Sequence, residues 1–576
     1  MHILGFDCYG HDSAAAIMRD GKLLGLVEEE RFLRQKHVAS FPVHSIRWCC
    51  DQAGIKPAEL DHIVYYWDPR AARLARAWFL LRHLPKSIGL IRSRGDKEVS
   101  MLRVRKTLTE QLQLNGRTVI HFAPHHLCHA ASAFLTSAFD KAAILSIDAA
   151  GEWDCTWLGY GEGIDMKCLR REHFPNSLGL VYGAVTEFLG YRFASGEGKV
   201  MGLAPYGDPG RFIQQFRDVI KTTPDGRYDV DMSYFNYQYR GRPNWFSKKF
   251  FDTFGPSRKP ESELTAHYKD VSAALQMRTE EVGLHMAKWL RQQTGFNRVC
   301  LAGGVCLNSV MNGRILREGV FDEVVVQPAA NDAGTALGGC FWLWNTVMRK
   351  PRKYIFEHAY LGPVWSDEQY ESAIRQTIKS PHQVGIEKVE DAPSLAASML
   401  ADGKIIGWFQ GRMEMGPRAL GNRSILADPR VGKMKDLLNE RVKFRESFRP
   451  FAPSILEEKI GQWFDCGYPS PYMILVYDVL LEKRKHIAAV THVDGTGRVH
   501  SVNRKHNPRY YGLLTEFERL TGVPIVLNTS FNIRGQPMVN KPEQAIECFV
   551  NTGIDVLFLG DYVLSKQVAS TAKDCS

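Results

Sequence analysis

The chain has 576 residues, of which 44% are hydrophobic and 24% are charged, a composition typical of a folded globular protein with more than one domain. No apolar run reaches the length of a membrane span and no signal peptide precedes the first apolar segment, so we expect a cytoplasmic protein without a membrane partner. The twelve cysteines form no CxxC pair, which argues against a zinc ribbon and a disulfide framework. The net charge of +10 is compatible with a nucleic-acid partner, with phosphorylated substrates or with a solvated surface. We interpret the basic residues as spread along the chain, apart from one basic run at residues 349–353.

Two hairpins of the form strand–Asp–x–x–Gly–turn–strand occur, at residues 3–30 and 143–170. Their aspartates are Asp7 and Asp148. A single hairpin of this form is common by chance, but two copies predict a duplicated nucleotide-binding fold whose turns face each other and hold phosphates. The turn residues expected to contact a nucleotide are Gly10, Ser13 and Gly151.

A pair of histidines opens the helix predicted for residues 124–139. His125 and His129 are four residues apart and therefore share one face. A tight turn at residues 140–141 leads into an apolar strand that ends at Asp148. The helix spans ~21 Å and the strand ~23 Å, so Asp148 should return to the level of both histidines. Two His and one Asp suit Fe, Mn or Zn, and a polar helix start with surface histidines is an equally weighted alternative.

Glycine-rich segments follow at residues 195–207, read as a loop, and at residues 299–308, read as a strand, a Gly-Gly turn and a helix start. Glycine lets a backbone approach a ligand closely, and a helix start favours an anion or a ribose. The nucleotide contacts expected here are Lys199, Gly303, Gly304 and Asn308. Farther on, Asp332 precedes a small-residue helix and is either a fourth metal ligand or an N-cap, and the local sequence favours the cap.

Anion-binding side chains concentrate in the last 220 or so residues, which follow a linker at residues 349–353. Arg, Lys, Asn and Ser are interspersed with glycine at residues 411–424, 443–451 and 527–532, the last directly after a strand at residues 524–527. Guanidinium groups bind phosphate in a bidentate manner, whereas ion pairs with nearby carboxylates would account for only part of these arginines. We therefore expect a pocket for a phosphorylated metabolite or a nucleoside triphosphate.

Seven segments, in order, resemble the O-carbamoyltransferases of antibiotic and nodulation-factor biosynthesis (the NodU/CmcH family): GFDCYGHDSAAAI, HHLCHAASAF, SGEGKVMGLAPYG, AGGVCLN, GRMEMGPRALGNRSILADPR, KFRESFRPFAPSI and LNTSFN. The resemblance covers nearly the whole chain. It implies an α/β protein. Residues 1–352 would form a Kae1-like domain of the actin/Hsp70/sugar-kinase superfamily, with duplicated subdomains. A YrdC-like α/β domain at residues 353–576 would follow. Within the family the likeness is to aminoglycoside carbamoyltransferases, which implies a tobramycin- or kanamycin-type acceptor.

The family's activity implies two half-reactions. The YrdC-like domain would form carbamoyl adenylate from carbamoyl phosphate and ATP with Mg, and the Kae1-like domain, carrying Fe(II) with Mn or Zn as alternatives, would pass the carbamoyl group to an acceptor hydroxyl. The family's metal pattern falls on His125, His129, Asp148 and Asp332. Its carbamoyl phosphate and ATP residues fall on Arg418, Lys443, Arg449, Arg498, Asn528 and Ser530.

His11, in the first hairpin turn, is our candidate general base for the acceptor hydroxyl. Asp12 would orient it or contact a cationic acceptor, and a turn histidine bonded to backbone is an equally weighted alternative for His11. Rival functions are transfer of threonylcarbamoyl to tRNA, which the pI near 8.9 keeps open, and a non-catalytic ATP-binding scaffold. A factor that carbamoylates a protein thiol would carry zinc-finger cysteine pairs, which this sequence lacks. We expect no nucleic-acid partner, and a homodimer stays open.

Overall fold

The computed structural model describes residues 1–242, 245–379 and 384–566, and it divides into two compact units. The first unit comprises Met1–Leu33 and His37–Phe356. The second comprises Arg34–Lys36 and the described residues from Glu357 onward. The sequence placed this division after residue 352. Among the described residues, no helix combines the length and the apolar character needed to cross a bilayer.

The first unit contains two five-stranded sheets and a small hairpin. Its strands are β1 (His2–Asp7), β2 (Ala14–Arg19), β3 (Lys22–Glu28), β4 (His62–Tyr65), β5 (Val119–Phe122), β6 (Lys141–Ile147), β7 (Asp154–Glu162), β8 (Asp165–His173), β9 (Ile220–Thr222), β10 (Tyr228–Val230), β11 (Arg298–Ala302) and β12 (Glu323–Val326). Its helices are α1 (Glu30–Leu33), α2 (Val43–Ala53), α3 (Arg73–Arg82), α4 (Ile88–Leu102), α5 (Val104–Leu112), α6 (His125–Phe134), α7 (Leu178–Phe188), α8 (Glu197–Leu203), α9 (Ile213–Val219), α10 (Lys248–Phe254), α11 (Ala266–Thr294), α12 (Ser309–Arg317) and α13 (Ala333–Phe341).

The two large sheets share one topology. The first has the order β3-β2-β1-β4-β5 and the second the order β8-β7-β6-β11-β12. In each, three consecutive strands pair antiparallel and two later strands join parallel to the first of them. The structure therefore contains the duplication that the two Asp–x–x–Gly hairpins predict.

Two helices bring the repeats together at the ends of β1 and β6. In each repeat the last parallel strand leads into a helix, α6 or α13, and these two helices pack on each other. Small residues allow the close approach. A Cβ added at Gly5 of β1 would lie 1.9 Å from the carbonyl oxygen of Ala336, and one added at Gly338 would lie 1.9 Å from that of Cys128. Side chains at the starts of both helices consequently reach the same region as the ends of β1 and β6.

Three local predictions are corrected here. The helix predicted for residues 124–139 ends at Phe134, because Arg352 donates to the carbonyls of Phe134 and Phe139 and so satisfies the end of the helix. Arg352 thus holds the predicted linker against the first unit. Lys141 is the first residue of β6 and does not lie in a turn. The predicted loop at residues 195–207 contains α8, which buries Val200 and Leu203.

The second unit is built on one nine-stranded sheet. Its strands are β13 (Val384–Lys388), β14 (Ile406–Phe409), β15 (Arg423–Ala427), β16 (Ala452–Leu456), β17 (Leu475–Asp478), β18 (Thr496–Val502), β19 (Ile525–Ser530), β20 (Val556–Leu559) and β21 (Tyr562–Lys566). Its helices are α14 (Asp367–Thr377), α15 (Ala392–Ala401), α16 (Met434–Leu438), α17 (Pro508–Thr521) and α18 (Pro542–Val550). The sheet order is β13-β21-β20-β14-β15-β19-β16-β18-β17.

The strand register gathers the predicted anion-binding segments at one end of this sheet. The loop after β14 leads into β15, whose first residues pair with the last residues of β19. The start of β16 pairs with the same end of β19, and β18 runs parallel to β16. Asn528 and Ser530 lie within β19, which is longer than the predicted strand at residues 524–527. The sheet therefore positions three segments that are distant in the sequence beside one another.

Candidate metal centre and anion site

The four predicted metal ligands meet in the first unit. Their ligand atoms all lie within 4.8 Å of one another, and all four side chains are buried. His125 Nε2 lies 3.0 Å from Asp148 Oδ2 and 3.8 Å from Asp332 Oδ1. His129 Nε2 lies 3.7 Å and 3.9 Å from the same two oxygens. Such separations suit atoms that each lie about 2.1 Å from a common cation.

The chemistry of these residues fits a divalent cation. His125 Nδ1, His129 Nδ1 and Asp332 Oδ1 are buried without a hydrogen-bond partner within the part of the chain that the structure describes. Although burial opposes its ionisation, hydrogen bonds from His125 and His129 hold the pKa of Asp148 well below its usual range. Asp332 makes no side-chain bond to the start of α13, so the N-cap favoured by the local sequence is wrong. Two imidazoles and two carboxylates suit Fe, Mn or Zn.

Neighbouring groups hold the ligands in place. The Glu152 carboxylate accepts the main-chain N–H of His125 at 3.0 Å and that of Asp68 at 2.7 Å. The main-chain N–H of Gly304 donates to Asp148 Oδ1 at 3.2 Å. The ring of Tyr66 meets that of His125 edge-on at 5.3 Å. Contacts of this kind orient metal ligands. Glu152 and Tyr66 were not among the site residues predicted from the sequence.

Three glycines predicted to contact a nucleotide lie against the metal ligands. A Cβ at Gly10 would lie 2.6 Å from Asp332 Oδ2, one at Gly151 would lie 2.9 Å from His125 Cδ2, and one at Gly304 would lie 2.9 Å from Asp148 Oδ1. The hairpin of each repeat thus touches the helix start of the other. These three glycines are needed because the metal ligands pack closely against them. Glycine is needed at position 303 because the backbone there has a φ of +87°, which side-chain-bearing residues rarely adopt.

Gly10→Ala is expected to lower the metal content of the purified protein, because the new methyl group displaces Asp332. Overpacking of this kind costs about 1–3 kcal/mol. Gly95→Ala is the matched control, since no atom that the structure describes beyond its own helix backbone and chain neighbours lies within 4 Å of a Cβ at that helical position. Elemental analysis and thermal unfolding of both variants would test this, and full metal content in Gly10→Ala would contradict it.

Three other predicted nucleotide contacts lie in the first unit: Ser13, Lys199 and Asn308. None of the contacts observed for these residues involves a metal ligand. Ser13 Oγ is buried without a partner among the described residues. The Lys199 ammonium lies 5.1 Å from the centre of the Tyr191 ring. Asn308 caps α12 by accepting the N–H of Met311, as the predicted helix start requires, and its amide donates to Gln276. A nucleotide contact at these three residues stays a prediction.

His11 and Asp12 form a hydrogen-bonded pair. His11 Nδ1 lies 2.8 Å from Asp12 Oδ2, while the other carboxylate oxygen lies 2.7 Å from His37 Nδ1. Asn331 also donates to Asp12, at 2.7 Å. Because Asp12 is engaged by three side chains, its geometry favours orienting His11 over contacting an acceptor. His37 and Asn331 were not among the site residues predicted from the sequence.

The His11 imidazole is strongly influenced by carboxylates. Burial lowers its pKa, but the charges of Asp332 and Asp12 outweigh burial and raise the pKa of His11 to about 10. The imidazole is therefore protonated at neutral pH when Asp332 carries an uncompensated charge. Neutralising Asp332 removes the largest of the raising contributions.

Four arginines crowd together in the second unit. Burial, together with the charges of Arg418, Arg445 and Arg449, holds the pKa of Arg498 well below its usual range. Burial and the charge of Arg449 lower the pKa of Arg418 to about 10. Within the described residues, Nε of Arg418 and Nε of Arg498 are buried without a hydrogen-bond partner. Repelling, desolvated guanidinium groups are the arrangement expected of a site that binds phosphate groups.

Two members of this cluster were not predicted. Arg445 lies in a segment that the sequence analysis selected, but it was not chosen there; its Nε donates to Asn439 Oδ1 at 2.8 Å. His492 lies outside all three segments. Burial lowers the pKa of His492 to about 4, and the Arg498 charge acts in the same direction. His492 is therefore neutral at physiological pH.

Lys443, Ser530 and Asn528 hold the loops of this site. The Lys443 ammonium donates to the carbonyl oxygen of Ser530 at 2.6 Å and to Asn532 Oδ1 at 2.8 Å. Asn528 donates to the carbonyl oxygen of Ala419, the residue next to Arg418, at 3.0 Å. These bonds give all three residues a positioning role. A direct contact between them and a phosphate stays a prediction.

Known proteins resemble this chain over most of its length. Residues 2–341 match the family described as "Carbamoyltransferase N-terminus", and residues 397–566 match "Carbamoyltransferase C-terminus". An uncharacterized protein of Synechocystis sp. is 41% identical over 98% of this chain and 97% of its own length. Nodulation protein NolNO of Sinorhizobium fredii is 38% identical over 97% of this chain and 80% of its own length. Nodulation protein U of Rhizobium fredii is 28% identical over 93% and 90%.

Proposed function

The chain belongs to the carbamoyltransferase family and is a carbamoyltransferase, and from this premise we propose that it is an ATP-dependent O-carbamoyltransferase whose two units each perform one half-reaction. The second unit, at residues 353–576 in our sequence-based division, would form carbamoyl adenylate, and the first would transfer the carbamoyl group to a hydroxyl. The same proposal relates the first unit to Kae1-like proteins and the second to YrdC-like proteins. The duplicated topology of the first unit supports the first relationship.

The arginine cluster of the second unit is the observation that carries the proposal. Arg418, Arg449 and Arg498 were predicted for carbamoyl phosphate and ATP, and their mutual repulsion is relieved when phosphorylated substrates bind. Carbamoyl phosphate would first lose its phosphate group to water as inorganic phosphate, and an oxygen of the resulting carbamate would attack the α-phosphorus of ATP as pyrophosphate leaves. Guanidinium groups held in place before the reaction would stabilise the charge that develops there. Adenylation would assist transfer because an alcohol is a weak nucleophile and AMP is a good leaving group.

The metal ligands of the first unit would serve the transfer step. His125, His129, Asp148 and Asp332 would hold the cation, for which we propose Fe(II) with Mn or Zn as alternatives. When bound, such a cation polarises an oxygen of the donor. With the charge of Asp332 compensated by a bound cation, the His11 imidazole would be free to lose its extra proton, and it would then accept the proton of the acceptor hydroxyl at Nε2, since its Nδ1 is bonded to Asp12. The hydroxyl oxygen attacks the carbamoyl carbon, and AMP departs.

The acceptor is proposed to be a hydroxylated small molecule, such as an aminoglycoside of the tobramycin or kanamycin type, which would give the protein a role in antibiotic biosynthesis. This finer assignment rests on the resemblance of the motifs. The half-reaction can be tested without knowing the acceptor: we expect release of pyrophosphate from ATP and Mg that depends on carbamoyl phosphate. Pyrophosphate release at the same rate without carbamoyl phosphate would refute the proposal.

His11→Ala is expected to slow transfer by about 10²- to 10⁴-fold, the usual contribution of a general base, and to leave pyrophosphate release unchanged. His37→Ala is the matched control, because His37 bonds the other oxygen of Asp12 and has no proposed proton to accept. Product formation and pyrophosphate release would be measured for both variants. Full transfer activity in His11→Ala would exclude the base role.

A further inference from the structure

The connection between β4 and β5 is a large addition to the repeat. It runs through residues 66–118 and contains α3, α4 and α5, whereas the equivalent connection between β11 and β12, at residues 303–322, contains one α-helix. The shorter connection shows that the fold does not need these three helices. Phe79 anchors α3 to the first unit by packing on Trp153 and Phe174, with ring centres 5.6 Å apart in each case.

The opposite face of α3 exposes large apolar side chains. Leu74 is 88% exposed, Trp78 is 59% exposed and Leu81 is 67% exposed. Their spacing of four and three residues puts them on one face of the helix. The next helix, α4, continues this apolar exposure with Ile88, Ile91, Val99 and Leu102. Large apolar side chains exposed along two successive helices are typical of a contact surface.

The same segment carries most of the net charge of the protein. Residues 70–112 contain eleven Arg and Lys against three Asp and Glu, which supplies eight of the ten net positive charges of the chain. The prediction that the charge is spread out is therefore wrong at the scale of this segment. Arg82 lies over the Trp78 ring at 4.9 Å, and Arg76 pairs with Glu98 and joins α3 to α4. Basic side chains thus alternate with the exposed apolar ones.

The combination of charge and apolar exposure selects one class of partner. A second copy of the chain would bring two strongly basic faces together, and like charges across an interface are costly. A nucleic acid would use the basic residues but not the exposed leucines. An anionic bilayer uses both, because leucine and tryptophan enter the boundary between headgroups and acyl chains while arginines reach anionic headgroups.

We propose that α3 and α4 dock the protein on the surface of an anionic phospholipid bilayer, with Leu74, Trp78 and Leu81 inserted at the headgroup level. The expectation of no membrane partner rested on the absence of a spanning segment, which surface docking does not require. The proposal is independent of the carbamoyl-transfer assignment, since it depends on no residue of either site.

Sedimentation of the full-length protein with vesicles tests this directly. We expect binding to vesicles of phosphatidylcholine mixed with phosphatidylglycerol, weaker binding at high salt, and little binding to pure phosphatidylcholine. The triple variant Leu74→Ser, Trp78→Ser and Leu81→Ser should bind at least tenfold more weakly. Neutralising Arg82 or Arg92 with glutamine should weaken binding about fivefold each.

A matched variant replaces three exposed apolar residues of the second unit, Leu481, Leu520 and Val550, by serine, and it should bind vesicles like the unaltered protein. Circular dichroism would verify that both triple variants fold. Equal binding of the α3 variant and the unaltered protein would overturn the proposal. The proposal would also be overturned if the protein formed a dimer that the α3 substitutions dissociate. It would likewise be overturned if the protein bound double-stranded DNA as tightly as anionic vesicles and the α3 variant kept this DNA binding.

Discussion

Asp332→Asn should abolish carbamoyl transfer while pyrophosphate release from ATP continues at the unaltered rate. Asparagine keeps the shape of the side chain beside Gly10, so the packing of the first hairpin is retained. It removes one of two carboxylates that face His125 Nε2 and His129 Nε2, and a neutral amide is a weaker ligand for a divalent cation. We expect less bound metal and a loss in transfer of about a thousandfold, because a bound cation contributes several kcal/mol.

A buried histidine beside the ligands provides the control. His126 lies on α6 between the two metal-binding histidines, but its ring nitrogens contact Ser146 Oγ at 2.9 Å and the carbonyl oxygen of Asp154 at 3.1 Å. His126→Gln should lower the free energy of unfolding and retain the metal. Equal loss of metal in His126→Gln and Asp332→Asn would mean that the centre responds to any disturbance of α6. Unchanged transfer by metal-free Asp332→Asn would refute the role of the centre.

Arg498→Gln should have opposite effects on activity and on stability. The guanidinium is desolvated and is repelled by the charges of Arg418, Arg445 and Arg449, which is why its pKa is lowered. Replacing a repelled, buried charge is expected to raise the free energy of unfolding of the substrate-free protein by about 1–2 kcal/mol. Pyrophosphate release should fall by about 10²- to 10³-fold, because a group that stabilises developing phosphate charge is lost.

Ligand-dependent unfolding separates these effects. Pyrophosphate or carbamoyl phosphate should raise the melting temperature of the unaltered protein and should raise that of Arg498→Gln much less. Arg430→Gln is the control, because Arg430 has its own partner, with Nη2 at 2.7 Å from Asp428 Oδ2. That variant should keep its activity and lose a little stability. Arg498→Gln with lower stability and full activity would show that the arginine is structural.

The sequence predicts those metal ligands whose positions follow from residue spacing along one helix or one strand. His125 and His129 share a helix face at any helix length, and Asp148 directly follows β6, the strand that returns beside them. Asp332 cannot be assigned locally, because an aspartate before a helix serves equally as a cap. Only the packing of α13 on α6 decides between the two, and that packing joins residues roughly two hundred positions apart.

The remaining features depend on contacts that sequence spacing does not encode. The end of α6 depends on Arg352, which donates to carbonyls more than two hundred residues earlier in the chain. Arg445 and Arg449 occur in one motif, and only the structure shows that the charges of both lower the pKa of Arg498. The hairpin glycines Gly10 and Gly151 were predicted to contact a nucleotide, and the groups that lie against them in the structure are the metal ligands Asp332 and His125.

Mass spectrometry of reaction products tests the central claim most directly. The purified protein would be incubated with ATP, Mg, carbamoyl phosphate and a panel of hydroxylated acceptors that includes tobramycin and kanamycin. We expect an acceptor that gains one carbamoyl group only when both ATP and carbamoyl phosphate are present, together with one AMP for each product. A carbamoylated product formed at the same rate without ATP would contradict it.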